Sequence, residues 1–281
     1  MSAARKKKTL VRRKPVQRKS TRQAIKGFMF DLDGTLVLGD RTGKSYDVLP
    51  GAIEVLQRLD ERGIPWVVLT NGSAYPASVQ APRLRAVGLP VPDERLLTPS
   101  SVTAGVLSRR GVKRALILGS PGVGHALKEA GIDITFTGEP ECERVDAVYI
   151  GWHPECGMKD IEAACNAIWG GAKLYVASDV PFFASKTGRM IGYSYAITAA
   201  VRRMTKAPAM ITGKPSLHAL RHVARHLGVA MNEVGVVGDD PLVEMIMARR
   251  GGATGFGVCT GTTNRAQWLK QPLSRRPTHI I

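Results

Sequence analysis

Two aspartates stand two residues apart in the string GFMFDLDGTLV, where Asp31 and Asp33 follow the apolar run Phe28–Phe30 and precede Gly34. A carboxylate beside a divalent cation can attack phosphorus while the cation neutralises charge on the phosphoryl oxygens. A second carboxyl two residues on, past a turn, can reach the ester oxygen, and Gly34 permits that turn. The competing reading is a pair of acids in a surface turn. Three more strings put polar groups just past apolar runs: Thr70 and Asn71 in VVLTNGS, Lys214 in ITGKPS, and Asp239 in VGVVGDD. Taken singly, each is also an ordinary turn or helix start. In an open parallel sheet, ligands bind outside the carboxyl ends of strands, so four polar clusters reaching one edge mark a site.

The elements that must carry these clusters are legible as short apolar runs bounded by Gly, Pro, Asp or Asn. They are Phe28–Phe30, Trp66–Leu69, Ala115–Leu118, Ala147–Ile150, Leu174–Ala177, Ala209–Ile211 and Val234–Val237. That is how buried parallel strands read. Helices are predicted over Gly51–Arg62, Ser100–Arg110, Lys159–Trp169 and Ser216–Leu227. The alternation implies an α/β fold with a mainly parallel sheet.

The four motif strings, in this order, resemble motifs I to IV of the haloacid dehalogenase (HAD) superfamily, over about residues 27 to 265. The resemblance implies a Rossmann-like core and a phosphatase mechanism. Asp31 would be the nucleophile and Asp33 the general acid and base. Thr70, with the backbone N–H groups of Asn71 and Gly72, would hold the phosphoryl oxygens. Lys214 would pair with the phosphoryl group and Asp31. Asp239 would bind Mg2+ with Asp31 and the carbonyl of Asp33, a hard oxygen set suited to that ion. The family often has a second motif IV aspartate five residues after the first. Here that place is Glu244, while Asp240 adjoins Asp239, so which of the two supports the metal stays open.

Spacing selects the branch. Between Asp33 and Thr70 there are 36 residues, too few for a helical cap, whereas 142 residues separate Asn71 from Lys214. An inserted α/β cap is therefore expected between motifs II and III, as in the NagD and p-nitrophenylphosphatase-like subfamily. The expected division is a core of 27–111 and 207–281 with a cap of 112–206. By that resemblance Trp152, His153, Pro181, Phe182 and Phe183 are candidates to contact the leaving group, or else they pack the cap core or a dimer interface. The implied substrate is a small phosphorylated metabolite, and a homodimer through the cap is a further expectation. A phosphotransferase using the same aspartyl-phosphate is the alternative enzyme.

Charge is unevenly placed in the 281 residues. Residues 1 to 26 hold 11 Lys or Arg and no acid, leaving 29 basic and 23 acidic residues beyond them. Such a segment buries too little apolar surface to offset its ordering entropy and reads as a disordered tail. It is either a solvated leader, a non-specific contact for nucleic acid or anionic lipid, or an organelle-targeting segment. A protein acting chiefly through this tail is the non-enzymatic alternative. No apolar run approaches a bilayer span. The four cysteines form no CxxC pair, which suggests neither a zinc site nor a disulfide framework and favours a reducing, cytoplasmic setting. His218, His222 and His226 recur every four residues and would share a helix face, where neighbouring Arg221 and Arg225 argue against a transition-metal site and for a solvated basic face. SPGVGHALKEAG lacks the Lys-Ser/Thr of a P-loop and reads as a structural strand–Gly–helix entry.

Overall fold

The computed structural model describes residues 24–40, 45–185 and 188–281. The readings placed on residues 1–23 lie outside it. The expected tail boundary at residue 26 runs long: Lys26 donates its backbone N–H to Glu233 at 2.8 Å and pairs with that side chain at 2.7 Å.

In chain order the strands are β1 (Gly27–Phe30), β2 (Val37–Gly39), β3 (Tyr46–Val48), β4 (Trp66–Leu69), β5 (Leu96–Leu97), β6 (Arg114–Leu118), β7 (Asp133–Thr135) and β8 (Ala147–Ile150). They continue with β9 (Lys173–Val176), β10 (Phe182–Ser185), β11 (Gly188–Ile191), β12 (Ala209–Ile211), β13 (Val234–Gly238), β14 (Thr254–Gly257) and β15 (His279–Ile280). The helices are α1 (Ala52–Glu61), α2 (Ala77–Ala86), α3 (Pro99–Arg109), α4 (Pro121–Glu129), α5 (Met158–Trp169), α6 (Tyr193–Thr205), α7 (Leu217–Leu227), α8 (Glu244–Gly251) and α9 (Arg265–Lys270). Among the described residues no helix is long and apolar enough to cross a membrane.

Among the described residues, eleven strands form two parallel sheets, while β2 with β3 and β10 with β11 pair as antiparallel hairpins. The larger has the order β15-β14-β13-β1-β4-β5, and the smaller β12-β9-β8-β6-β7. Both faces of each sheet are covered, which is why these strands read as unbroken apolar runs. On one face of the larger sheet, Leu56 and Leu59 of α1 pack with Phe30, Trp66 and Val68. On the other, Leu220 and Val223 of α7 pack with Met29, Val67 and Leu69. Each such side chain contributes on the order of 1.5–3 kcal/mol when fully buried. Ser216 caps α7 by accepting the Ala219 N–H at 3.3 Å, and Gly228, with φ 69°, ends it in the left-handed conformation.

The architecture is thus α/β, a Rossmann-like core with a second α/β unit between its two halves. The expected division at 206 and 207 needs correction, because β12 is the edge strand of the smaller sheet, paired with β9. A short apolar run announces a buried strand but not which sheet it joins. The two units meet closely. Ser120 Oγ donates to the Ala74 carbonyl at 3.3 Å, and a Cβ on Gly122 would lie 2.5 Å from the same oxygen. The SPGVGH string is therefore structural: its glycine lets α4 approach the loop after β4.

Candidate active site

Because β1 lies between β13 and β4, the residues after their carboxyl ends are neighbours. Asp31 follows β1, Thr70 follows β4 and Asp239 follows β13, and all three are buried. Asp31 is seated by its own N–H, which donates to the Val237 carbonyl at 2.9 Å, and by the Thr35 hydroxyl, which donates to its Oδ2 at 3.2 Å. The other oxygen, Oδ1, pairs with the ammonium of Lys214. Gly34 adopts φ +85°, and a Cβ there would lie 2.6 Å from an Asp239 oxygen, so the turn after motif I closes over motif IV only without a side chain.

Lys214 reaches this cluster from the turn between β12 and α7, so it comes from the edge of the smaller sheet and not from the edge that carries the aspartates. The expectation that all four clusters leave one sheet edge is corrected on this point. The lysine is 1% exposed and also contacts Glu244 Oε1 at 2.8 Å. Burial alone would lower its pKa, but Asp31 and Glu244 more than offset that and hold it protonated above a lysine's usual range. Asn71 fastens this turn: its Nδ2 donates to the Lys214 carbonyl at 3.0 Å, and its Oδ1 accepts the Lys214 N–H at 2.9 Å.

The carboxylate oxygens of Asp31, Asp239 and Glu244 lie within 4.8 Å of one another. Burial, then the charge of Asp31, pushes Asp239 up to about 6. Burial likewise raises Glu244, against the pull of Lys214. Asp33 opens to solvent at the mouth of the cleft. The protein crowded around it, ahead of the Asp31 charge, nevertheless pushes it up to about 7. Water around this exposed residue screens part of that effect. Lys214 brings one positive charge against these four carboxyls. Hard, buried oxygen donors with surplus negative charge are the chemistry of a Mg2+ site, so the residues fit the ion.

The two motif IV candidates sit differently. Glu244, at the start of α8, joins the cluster, and its Oε2 accepts the Asp240 N–H at 3.3 Å. Asp240 instead accepts the Leu242 N–H at 2.7 Å and braces the turn into α8. Thr262 was not expected here: its N–H donates to Asp239 Oδ2 at 2.7 Å and its hydroxyl to the Asp239 carbonyl at 3.0 Å. Its loop follows β14 and carries no motif. Thr35 was not singled out either, although it sits inside the motif I string. Gly72 differs from expectation, since its N–H donates to Thr70 Oγ1 at 2.9 Å. That contact occupies a hydroxyl acceptor and leaves the hydroxyl hydrogen to donate.

The second unit reaches the site through Ser73, whose hydroxyl oxygen accepts the Trp152 N–H at 3.0 Å. The Trp152 ring meets Tyr193 edge to face at 4.7 Å. His153 departs from its expected place against a leaving group: its ring turns to Asp160, Nε2 lying 3.5 Å from Oδ2. Pro181 and Phe182 lie at the exposed start of the β10–β11 hairpin. The side chain of Phe183 lies outside the described residues. On α7, His222 is not solvated as expected. A Cβ on Gly105 of α3 would come within 3.1 Å of its ring, and burial, then His226, Arg109 and Arg225, lowers its pKa to about 4.

Comparison with known proteins agrees with this geometry. A family described as haloacid dehalogenase-like hydrolase matches residues 28–133, and one described as HAD-hydrolase-like matches residues 211–281. The 5'-nucleotidase YutF of Bacillus subtilis is 26% identical over 260 residues, spanning 92% of this chain and 96% of its own. The structure of a 4-nitrophenylphosphatase from Thermotoga maritima matches with TM-score 0.80 and 26% identity, covering 92% of this chain and 94% of that one. A glycerol phosphate phosphatase from Mycobacterium tuberculosis, solved in complex with magnesium, matches with TM-score 0.79 and 25% identity, covering 92% and 75%. The fold and the site define a hydrolase of α/β architecture built on buried carboxylates. The chain belongs to the haloacid dehalogenase-like hydrolases, in their NagD and p-nitrophenylphosphatase-like branch, and is a phosphoric monoester hydrolase.

Proposed function

We propose that this protein is a magnesium-dependent phosphatase of small phosphomonoesters that works through an aspartyl-phosphate at Asp31. The observation that carries the reading is the Asp31 carboxylate, paired with Lys214 and set among the oxygens of Asp239 and Glu244. Asp31, Asp239 and the backbone carbonyl of Asp33 would hold Mg2+, with Glu244 supporting them. When bound, the ion neutralises charge on the phosphoryl oxygens.

Asp31 attacks phosphorus while the bond to the ester oxygen breaks. Asp33, protonated, gives its proton to that leaving oxygen. Its raised pKa suits that task. Asp33, now a carboxylate, takes a proton from water as the water attacks the acyl phosphate. Inorganic phosphate leaves and Asp31 is regenerated. Lys214 and the Thr70 hydroxyl hold the phosphoryl oxygens throughout, and Lys214 keeps Asp31 ionised and oriented.

The second α/β unit acts as the cap that selects the leaving group, through Trp152 and the hairpin that begins at Pro181 and Phe182. The named relatives act on a nucleotide, an aryl phosphate and glycerol phosphate, which supports a small organic phosphate as substrate class. The test is phosphate release from a panel of sugar, nucleotide, triose and aryl phosphates with Mg2+, ranked by kcat/KM. At least one small metabolite should be turned over, with activity lost to chelator and restored by Mg2+. Release that persists in chelator, or in Asp31→Asn at more than a few per cent of the parent rate, would overturn the mechanism.

A further inference from the structure

The turn from β8 into α5 gathers a second set of donors. His153, Cys156 and Asp160 place their ligand-capable atoms within 4.8 Å of one another. Gly157 caps α5 and Asp160 sits in its first turn, where Oδ2 accepts the Gly157 N–H at 2.8 Å. That bond fixes the carboxylate beside the residue that follows the thiol. His153 Nε2 stands 3.5 Å from the same oxygen, and Nδ1 is buried with no hydrogen-bond partner among the described residues. Buried polar atoms are seldom left unpaired in folded chains. One imidazole nitrogen thus faces the carboxylate, and the other is left without a partner among the described residues.

We propose that His153, Cys156 and Asp160 bind a thiophilic divalent cation of the zinc class, with a fourth coordination position open to the adjacent cavity. That cavity has a volume of about 460 Å³ and is lined by His153, Cys156, Ile161, Tyr193 and Ile197 among others. The donor types decide the metal. Imidazole and thiolate favour zinc over magnesium or calcium, and three protein ligands with one open position are a common zinc arrangement. Zinc–ligand bonds of about 2.0–2.3 Å place donors roughly 3.5 Å apart. The three donors, within 4.8 Å of one another on one turn, approach that spacing by side-chain movement. The charges also balance, because a dication with one thiolate and one carboxylate is neutral in a half-buried site.

The competing reading, a reactive cysteine, is opposed by its surroundings. The Cys156 thiol is half-buried beside the Asp160 carboxylate, which disfavours a free thiolate. Asp160 is in the opposite condition. Burial would raise it, but the Gly157 N–H, then the Thr137 hydroxyl and His153, outweigh that and lower it. Binding then exchanges the sulfur-bound proton for the metal, releasing one proton and changing no oxidation state. The bound ion would staple the β8–α5 turn, and that turn carries Trp152, whose N–H is bonded to Ser73 beside motif II.

The test uses the full chain, stripped by chelator and titrated with Co2+ as a spectroscopic substitute for Zn2+. The expected result is a near-ultraviolet thiolate-to-cobalt charge-transfer band that saturates at about one equivalent, releases about one proton, and is bleached by Zn2+. Cys156→Ser and His153→Ala should each lose the band, whereas Cys142→Ser should keep it. Asp31→Asn should keep it too, because the carboxylate cluster offers no sulfur; the result is therefore independent of the phosphatase mechanism. Absence of the band in folded wild-type protein at excess Co2+, or its persistence in Cys156→Ser, would overturn the proposal. If His153→Ala does not fold, the near-isosteric Cys156→Ser decides alone.

Discussion

The Asn71 amide grips the backbone of Lys214 from both sides, donating to its carbonyl at 3.0 Å and accepting from its N–H at 2.9 Å. These residues are 143 positions apart, and the grip ties the turn after β4 to the turn that delivers the lysine. It is tight enough that a Cβ on Gly213 would lie 2.7 Å from Asn71 Oδ1. Asn71→Ala should let Lys214 drift from Asp31. A 1 Å misplacement of this kind costs on the order of 10²-fold in rate. Steady-state kinetics should show the loss mainly in kcat. A variant within twofold of the parent kcat would mean that the turn holds itself.

This grip also marks how far the sequence could be read. Asp31, Thr70 and Asp239 were legible because each follows an apolar run that must be a buried strand, and β1, β4 and β13 are adjacent. Asn71 was legible as a site residue but not in its role. Its side-chain partner is a backbone, and a backbone leaves no mark in residue types. Thr262 was invisible for a similar reason: it completes Asp239 from a loop with no pattern of its own. The strand before Lys214 was readable, but its sheet was not, because pairing with β9 depends on tertiary placement. The helix α2 was missed since Pro82 lies inside it and its apolar residues lack a clear periodicity.

Asp33→Asn separates the two chemical steps. An aryl phosphate such as 4-nitrophenyl phosphate has a leaving group that needs little acid assistance, so formation of the phosphoenzyme should survive. Hydrolysis of that intermediate still needs the base and should slow by about 10²–10⁴-fold. Rapid mixing should therefore show a burst of about one nitrophenolate per active site, then slow turnover. A linear trace at the parent rate would remove Asp33 from the mechanism.

Glu244 contacts Lys214 and joins the aspartate cluster, 2% exposed, with its Oε1 2.8 Å from the lysine. Glu244→Gln keeps the shape and removes the charge. The Mg2+ concentration for half-maximal activity should rise about 10–100-fold, the usual cost of losing a group that orients metal ligands. Saturating Mg2+ should restore most of kcat. An unchanged half-saturation would assign Glu244 to Lys214 alone.

His222 gives a pH dependence of stability with a definite sign. Its ordinary pKa is about 6.5. Packed against α3, it falls to about 4. Between those values the unfolded chain takes up a proton that the folded chain refuses, so stability is lost as pH falls from about 6.5 to about 4 and levels off below. Partial exposure limits the loss to about 1–3 kcal/mol. Asp33, Asp239 and Glu244 titrate with the opposite sign, but they are common to any His222 variant. Urea unfolding of wild type and His222→Gln at pH 7 and pH 4.5 isolates the histidine. The stability difference between them should shift toward the variant at pH 4.5, and a difference independent of pH would contradict the assignment.

The proposed division of labour between the two units predicts where specificity changes. Phe182 opens the β10–β11 hairpin with its side chain exposed, so truncating it costs the fold little. Trp152 is different: its ring packs on Tyr193 and its N–H is bonded to Ser73, so an alanine there disturbs the contact between the units as well. Phe182→Ala is therefore the cleaner probe. If the hairpin contacts the leaving group, it supplies binding energy remote from phosphorus, and that energy is used to position the substrate. An aryl phosphate makes little use of it, since its leaving group departs readily. Phe182→Ala should accordingly reorder kcat/KM among metabolites, with the best one losing about tenfold, while 4-nitrophenyl phosphate turnover changes less than about twofold. One buried aromatic contact of about 1.5 kcal/mol is enough for a tenfold effect. An unchanged metabolite ranking would take the hairpin out of substrate selection and leave that role to the Trp152 turn.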